Sequence, residues 1–211
     1  MTFKALAGAI FATASLFLMT QKANAEMINL VGFGDSLMAG YELAAEESFP
    51  ARLETLLRDK GYDVAITNAG VSGDTTADGL ARVDWSIPDG TQGVILELGA
   101  NDALRGLSPK ESRDNLDAII LRLKARKIAI LLVGIPAPPN MGSDYEKQFN
   151  PIFKDLATKY DLPLYPFFLD GVAMQAAVQL KDGMHPNGDG TKIMAEKFLP
   201  TAEAFVKMIK M

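Results

Sequence analysis

The sequence contains no cysteine and a single histidine among 211 residues. The first absence excludes disulfides, thiol catalysis and cysteine-ligated metals together. The second means that any reaction needing an imidazole has one residue to draw on. Lysines and arginines number 21 against 26 acids and form no cluster, which removes the phosphate-neutralising surface that nucleic-acid binding requires. Long apolar runs are also missing. The stretch Ala5 to Met19 is shorter than the roughly 18 residues wanted for a membrane span.

That stretch follows Lys4 and precedes Ala23-Asn24-Ala25, the arrangement of a cleavable secretory signal. Residues 1–25 are therefore expected to be removed after Ala25, leaving one domain over residues 26–211 in a periplasmic or secreted protein with no stable membrane span. Cleavage takes away Lys4 and Lys22 and no acid, so the formal charge of −5 becomes −7. With 48% hydrophobic and 22% charged residues, the chain is ordinary for a globular domain with a sizeable core. It shows neither repeats nor low-complexity tracts, and a monomer is the expected state.

What is present is organised around Leu30-Val31-Gly32-Phe33-Gly34-Asp35-Ser36-Leu37. An apolar run from Met27 to Phe33 suits a strand buried on both faces, and a serine follows it directly. Further buried strands are expected over 64–69, 93–98, 128–133 and 162–166. Between them the sequence predicts helices. One opens at Ser48 with Pro50 in its first turn and buries Phe49, Leu53, Leu56 and Leu57. Another starts near Ala77. A third opens on the capping box Ser108-Pro109-Lys110-Glu111 and buries Leu116, Ile119, Ile120 and Leu123. One more spans about 144–160, and the last runs from about Thr191 towards Ile209 with Pro200 inside it. The prolines of Gly134 to Gly142 exclude a helix there.

Strands and helices alternating at this rhythm argue for a parallel sheet covered on both faces. Ligands of such sheets bind at the carboxyl ends of the strands. Ser36, Gly73 and Asn101 each follow one of the first three strands, and His185 follows the fifth, so these separated residues converge on one edge.

A serine hydroxyl is a weak nucleophile unless a base activates it and donors stabilise the oxyanion it creates. His185 is the available base. Asp182, three residues before it in Asp182-Gly183-Met184-His185-Pro186, is placed to accept from one ring nitrogen while the other faces Ser36. The N–H groups of Ser36 and Gly73 and the amide of Asn101 are suitable oxyanion donors, and Gly73 permits close approach. Each residue also has a plainer reading: His185 and Asp182 as loop and turn residues, Gly73 as a turn former, Asn101 as a helix cap. Asp35, Asp74 and Asp102 beside them raise a magnesium-dependent phosphatase, but aspartates in such loops more commonly hold the backbone. Gly32-Phe33-Gly34 fails as a dinucleotide fingerprint because Leu37 stands at the third glycine position. Met38 likewise breaks the nucleophile elbow of α/β-hydrolases.

Taken together, Gly34-Asp35-Ser36-Leu37, Gly73 within Asn-Ala-Gly-Val-Ser-Gly-Asp-Thr, Gly99-Ala100-Asn101-Asp102 and Asp182-Gly183-Met184-His185-Pro186 resemble the successive blocks of the SGNH hydrolases, or GDSL esterases and lipases. The likeness covers essentially the whole mature chain and is strongest to the thioesterase I/lysophospholipase L1/arylesterase branch. Ala100 departs from it, since glycine is frequent there. The resemblance implies a flavodoxin-like three-layer α/β/α fold with a five-stranded parallel sheet. It also implies a triad of Ser36, Asp182 and His185, an oxyanion hole of Ser36, Gly73 and Asn101, and neither metal nor organic cofactor.

The reaction expected is hydrolysis of esters and thioesters through an acyl-enzyme on Ser36. Activity should rise through about pH 6–7 as a histidine base loses its proton. The substrate is a small acyl ester or thioester, with aryl esters, acyl-CoA and lysophospholipids as classes. The loop containing Ile135, Pro136 and Met141, with Leu104, Leu107 and Phe168 as neighbours, offers apolar surface for an acyl chain or simply packs the domain. The alternatives are a carbohydrate or peptidoglycan O-acetylesterase and a non-catalytic binding module.

Overall fold

The computed structural model describes residues 27–210, so the expected signal peptide lies outside the described residues. The chain runs β1 (Ile28–Gly34), α1 (Ser36–Ala39), α2 (Phe49–Asp59), β2 (Val64–Gly70), α3 (Thr76–Ser86), β3 (Gly93–Glu97), α4 (Ala100–Leu104), α5 (Pro109–Ala125), β4 (Ala129–Val133), α6 (Ser143–Phe149), α7 (Pro151–Tyr160), β5 (Leu164–Tyr165) and α8 (Gly188–Ile209). The five strands are parallel in the order β2-β1-β3-β4-β5. This is the flavodoxin-like order.

Right-handed crossovers to either side of β1 send their helices to opposite faces. On one face α2 packs against α8, and on the other α5 packs against α3 and α7. The order reverses between β1 and β3, and the carboxyl ends of these two strands are where ligands of such sheets bind. The sequence between them fills both interfaces as the spacing requires. Leu116, Ile119, Ile120 and Leu123 of α5 are fully buried, as are Phe49, Leu53 and Leu57 of α2. Phe168 belongs to this core rather than to a ligand surface, its ring meeting Phe49 edge-on at 4.7 Å.

Several boundaries differ from the sequence expectation. The helix expected over about 144–160 is two helices, α6 and α7, parted at Asn150. Pro151 causes the break, because it offers no N–H and its ring crowds the preceding turn. A three-residue 3₁₀ turn, Pro139–Met141, forms inside the proline-rich loop, a turn short enough for proline at its start. The last helix begins at Gly188 rather than near Thr191, because Asn187 caps it by accepting from the N–H groups of Asp189 and Gly190, both at 3.0 Å. Pro200 lies within that helix.

Candidate active site

Ser36 stands where β1 ends. Asp35 caps the short helix α1, its Oδ1 accepting from the Leu37 N–H at 3.0 Å, and Ser36 occupies the first helical position, buried with 9% of its surface exposed. Gly34 must lack a side chain here, since a Cβ would come within 2.5 Å of both the carbonyl oxygen and Oε2 of Glu97.

His185 arrives from the other end of the chain on a small hairpin. The Leu180 N–H donates to His185 O at 2.8 Å, the Asn187 N–H donates to Val178 O at 3.0 Å, and Gln179 bridges Pro186 in antiparallel fashion. Asp182 sits at the hairpin's turn and accepts from the N–H groups of Met184 and His185 at 2.9 and 3.0 Å through Oδ1. Its Oδ2 lies 2.6 Å from His185 Nδ1. On the far side of the ring, Nε2 is 2.9 Å from Ser36 Oγ. The structure thus brings Ser36 and Asp182 to opposite nitrogens of the one imidazole. The imidazole and the two backbone donors hold the Asp182 carboxyl down at about 2, so it stays ionised and fixes which ring nitrogen faces the serine.

The ring of Tyr41 lies against this imidazole, with centroids 4.6 Å apart and the planes tilted by 38°. Nothing in the sequence marked Tyr41, which is recognisable only once the hairpin has folded back over the end of α1.

Gly73 adopts φ +90° in the loop after β2, a left-handed conformation suited to glycine. Its carbonyl accepts from Arg105 Nη2 at 2.8 Å. The N–H groups of Ser36 and Gly73 have no acceptor among the described residues. Asn101 behaves differently. Its Nδ2 donates to Asp35 Oδ2 at 3.1 Å and to Asp74 O at 3.0 Å, so both amide hydrogens have acceptors. Because both neighbours are acceptors, the amide orientation is fixed.

The three aspartates suspected of metal binding are committed to these loops. Asp102 accepts from the N–H and hydroxyl of Thr76 at 2.8 and 2.6 Å and from Ser112 Oγ at 2.8 Å, tying α4 to α3 and α5. Asp74 accepts from Arg82 Nε at 2.5 Å. Arg82, itself buried, also donates to Ala69 O at 2.8 Å and Gly34 O at 2.9 Å and lies over the Phe33 ring. One guanidinium thus ties the ends of β1 and β2 to the loop between β2 and α3. Sequence reasoning passed over it, although an arginine at helical spacing from Gly79 and beside Val83 on the buried face of α3 is a visible anomaly. Glu97 is a second such residue, a charge at the end of an otherwise apolar strand.

Of the residues expected to meet an acyl chain, Ile135 and Pro136 line one cavity of about 170 Å³ with Phe153, Leu164 and Pro166. Leu104 projects from α4 half-exposed. Met141 is part-buried, its Cε 3.2 Å from the position a Cβ would take on Gly106. Leu104 and Met141 are not among the residues that line that cavity.

Residues 33–193 match the model of the GDSL-like Lipase/Acylhydrolase family. The chain belongs to this family. It is 37% identical to an arylesterase of Vibrio mimicus over 86% of this chain and 91% of the relative. It is 38% identical to the thioesterase 1/protease 1/lysophospholipase L1 of Escherichia coli (strain K12) over 86% of each. Among solved structures, that of AlinE4, an SGNH-hydrolase family esterase, superposes with a TM-score of 0.72 at 49% identity, covering 87% of this chain and 97% of that one. The five-stranded parallel sheet is thus that of a GDSL-like acylhydrolase.

Proposed function

We propose that this chain is a serine hydrolase of carboxylic esters and thioesters. The observation that carries the reading is His185 between two partners, Nε2 at 2.9 Å from Ser36 Oγ and Nδ1 at 2.6 Å from Asp182. In the reaction Ser36 attacks the acyl carbon as His185 takes its proton, and Asp182 stabilises the imidazolium that forms. The developing oxyanion sits among the Ser36 and Gly73 N–H groups, which lack other acceptors, and takes a share of one Asn101 amide hydrogen. His185 then protonates the leaving group, and water, deprotonated by the same imidazole, releases the acyl group.

The names of the relatives, arylesterase and thioesterase 1/protease 1/lysophospholipase L1, support a broad acyl specificity. A formal charge of −7 after removal of residues 1–25 gives no attraction for the phosphates of coenzyme A, so small and medium acyl esters rank first. Ile135, Pro136, Leu104 and Met141 are the apolar residues proposed to meet the acyl chain. We place the enzyme as a monomer in the periplasm or outside the cell, its single domain beginning at residue 26. No helix among the described residues is long and apolar enough to cross a membrane.

The test is hydrolysis of p-nitrophenyl esters from acetyl to palmitoyl by wild type, Ser36→Ala and His185→Ala, with mass measurement after an active-site phosphonate. Both variants should lose kcat by about 10⁴–10⁶-fold, and wild type should gain one adduct that Ser36→Ala does not. Strict preference for acetyl would favour the carbohydrate O-acetylesterase instead, and absence of the adduct a binding module.

A further inference from the structure

Glu97 has no part in the reaction above, yet it lies against the residues that perform it. Its side chain closes β3 with no exposed surface. Oε2 accepts from the Asp35 N–H at 3.3 Å, and Oε1 has no hydrogen-bond partner among the described residues. No ion pair reaches Glu97 among those residues. A charged carboxylate in that condition is strongly disfavoured, whereas a neutral acid is tolerable.

The charged groups facing the pair are engaged elsewhere. Asp74, from the loop before α3, is tied to Arg82, and His185 is tied to Asp182 and Ser36. Asp35 itself is equally buried but better provided, since its oxygens accept from the Leu37 N–H and the Asn101 amide.

We propose that Glu97 is a positioning residue: as a neutral acid it pins the Asp35 N–H, and with it the turn that carries Ser36, while leaving Asp35 ionised to orient the Asn101 amide. This rests on the hydrolase reading. The Asp35 carboxyl accepts from two donors that favour its charged form and Glu97 from only one, so of the two Glu97 is the one that keeps its proton. Burial, and then the Asp35 charge, push the Glu97 carboxyl well above the usual range. Burial lifts Asp35 to about 6, against the pull of the Leu37 and Asn101 hydrogen bonds. Ionising Glu97 as well would add a second negative charge beside Asp35, whose carboxylate holds the Asn101 amide, and would oppose the charge developing there.

The role is tested by kcat, KM and Tm of wild type, Glu97→Gln and Glu97→Leu in the whole protein, with a p-nitrophenyl ester across neutral and alkaline pH. Glutamine keeps a neutral acceptor for the Asp35 N–H but buries an unpaired amide, so kcat at pH 7 should stay within about threefold while Tm falls. Leucine removes the acceptor and the buried polar group. Its kcat should fall by about 5–20-fold with KM within about threefold, and Tm should hold or rise. If leucine yields no folded protein, methionine serves the same purpose.

Wild-type kcat should decline on the alkaline side, and that decline should be absent in Glu97→Gln. Full kcat in the leucine or methionine variant, or the same alkaline decline in Glu97→Gln, overturns the proposal. Phosphonate labelling of wild-type Ser36 separates the two readings. Its absence removes the hydrolase itself, whereas a labelled enzyme indifferent to residue 97 removes only the role of Glu97.

Discussion

Asp182 and Asp35 are both one hydrogen bond from a residue of the proposed reaction, His185 in one case and Asn101 in the other, yet their surroundings are opposite. Asp182 sits on an exposed hairpin with an imidazole and two backbone N–H groups, and its carboxyl is held at about 2. Asp35 lies within the sheet's carboxyl end with Glu97 as its neighbour, and burial raises it to about 6. The same functional group is thus held firmly as an anion by its partners in one region and, in the other, kept ionised at neutral pH only against the pull of desolvation. The comparison separates two tasks. In the proposed reaction the hairpin supplies a fixed charge that orients the base, and the interior supplies a frame for the oxyanion donors.

The largest effect that distinguishes the two regions should come from Asp182→Asn. It leaves the hairpin able to form but lets the imidazole present the wrong tautomer to Ser36, so kcat should fall about 10³–10⁴-fold. Asn101→Ala removes one oxyanion donor and should cost about 10²–10³-fold. Parallel kcat measurements on both variants check the order. If Asn101→Ala proved the more damaging, the base would not need its orienting charge and the hairpin's role would shrink.

Arg82→Met probes the interior frame without touching Ser36 or His185. It strands a buried Asp74 and frees the carbonyls of Ala69 and Gly34. Loss of one partner of a buried ion pair costs about 3–5 kcal/mol, or roughly 6–20 °C in Tm for a chain of this size. Thermal unfolding at neutral pH reads this directly. Below the transition, the variant should keep a measurable esterase rate, because the hairpin dyad is independent of Arg82.

How far the sequence reached follows the same division. The strands announced themselves by apolar runs, and α5 by its capping box and four buried positions, because both patterns depend on local periodicity. Ser36, Gly73, Asn101, Asp182 and His185 stand out as candidates because they lie in loops at strand ends and include the lone histidine, but each alone has a plainer reading, and only the resemblance of the four blocks joins them into one proposed site. Arg82 and Glu97 were passed over for a physical reason. Their partners are Asp74, Gly34 and Asp35, on other elements, and a charge inside an apolar pattern acquires meaning only once the neighbouring strand is known. The apolar pattern over 93–98 runs straight through Glu97. Tyr41 was invisible for a related reason, its partner being His185 from a hairpin far along the chain.

The smallest effect, and the most direct contrast between the two carboxylate environments, is the slope of stability with pH. Asp182 binds its proton less tightly folded than unfolded, so its contribution is present above the ordinary carboxylate value of 3.8 and is lost as pH falls towards about 2. Asp35 and Glu97 have the opposite sign, because folding raises both. The folded state then holds protons that the unfolded state has released, and stability declines as pH rises from about 4 through 6 and beyond. Melting temperatures of wild type, Asp182→Asn and Glu97→Leu from about pH 2.5 to 8 should therefore diverge at opposite ends. Asp182→Asn should flatten the acid limb. Glu97→Leu should gain on wild type as pH rises, by at least roughly 2–4 °C, the equivalent of about 1 kcal/mol here. A constant offset between Glu97→Leu and wild type over that range would mean that Glu97 titrates as an ordinary carboxylate, and the interior would then hold two charges where the geometry accommodates one.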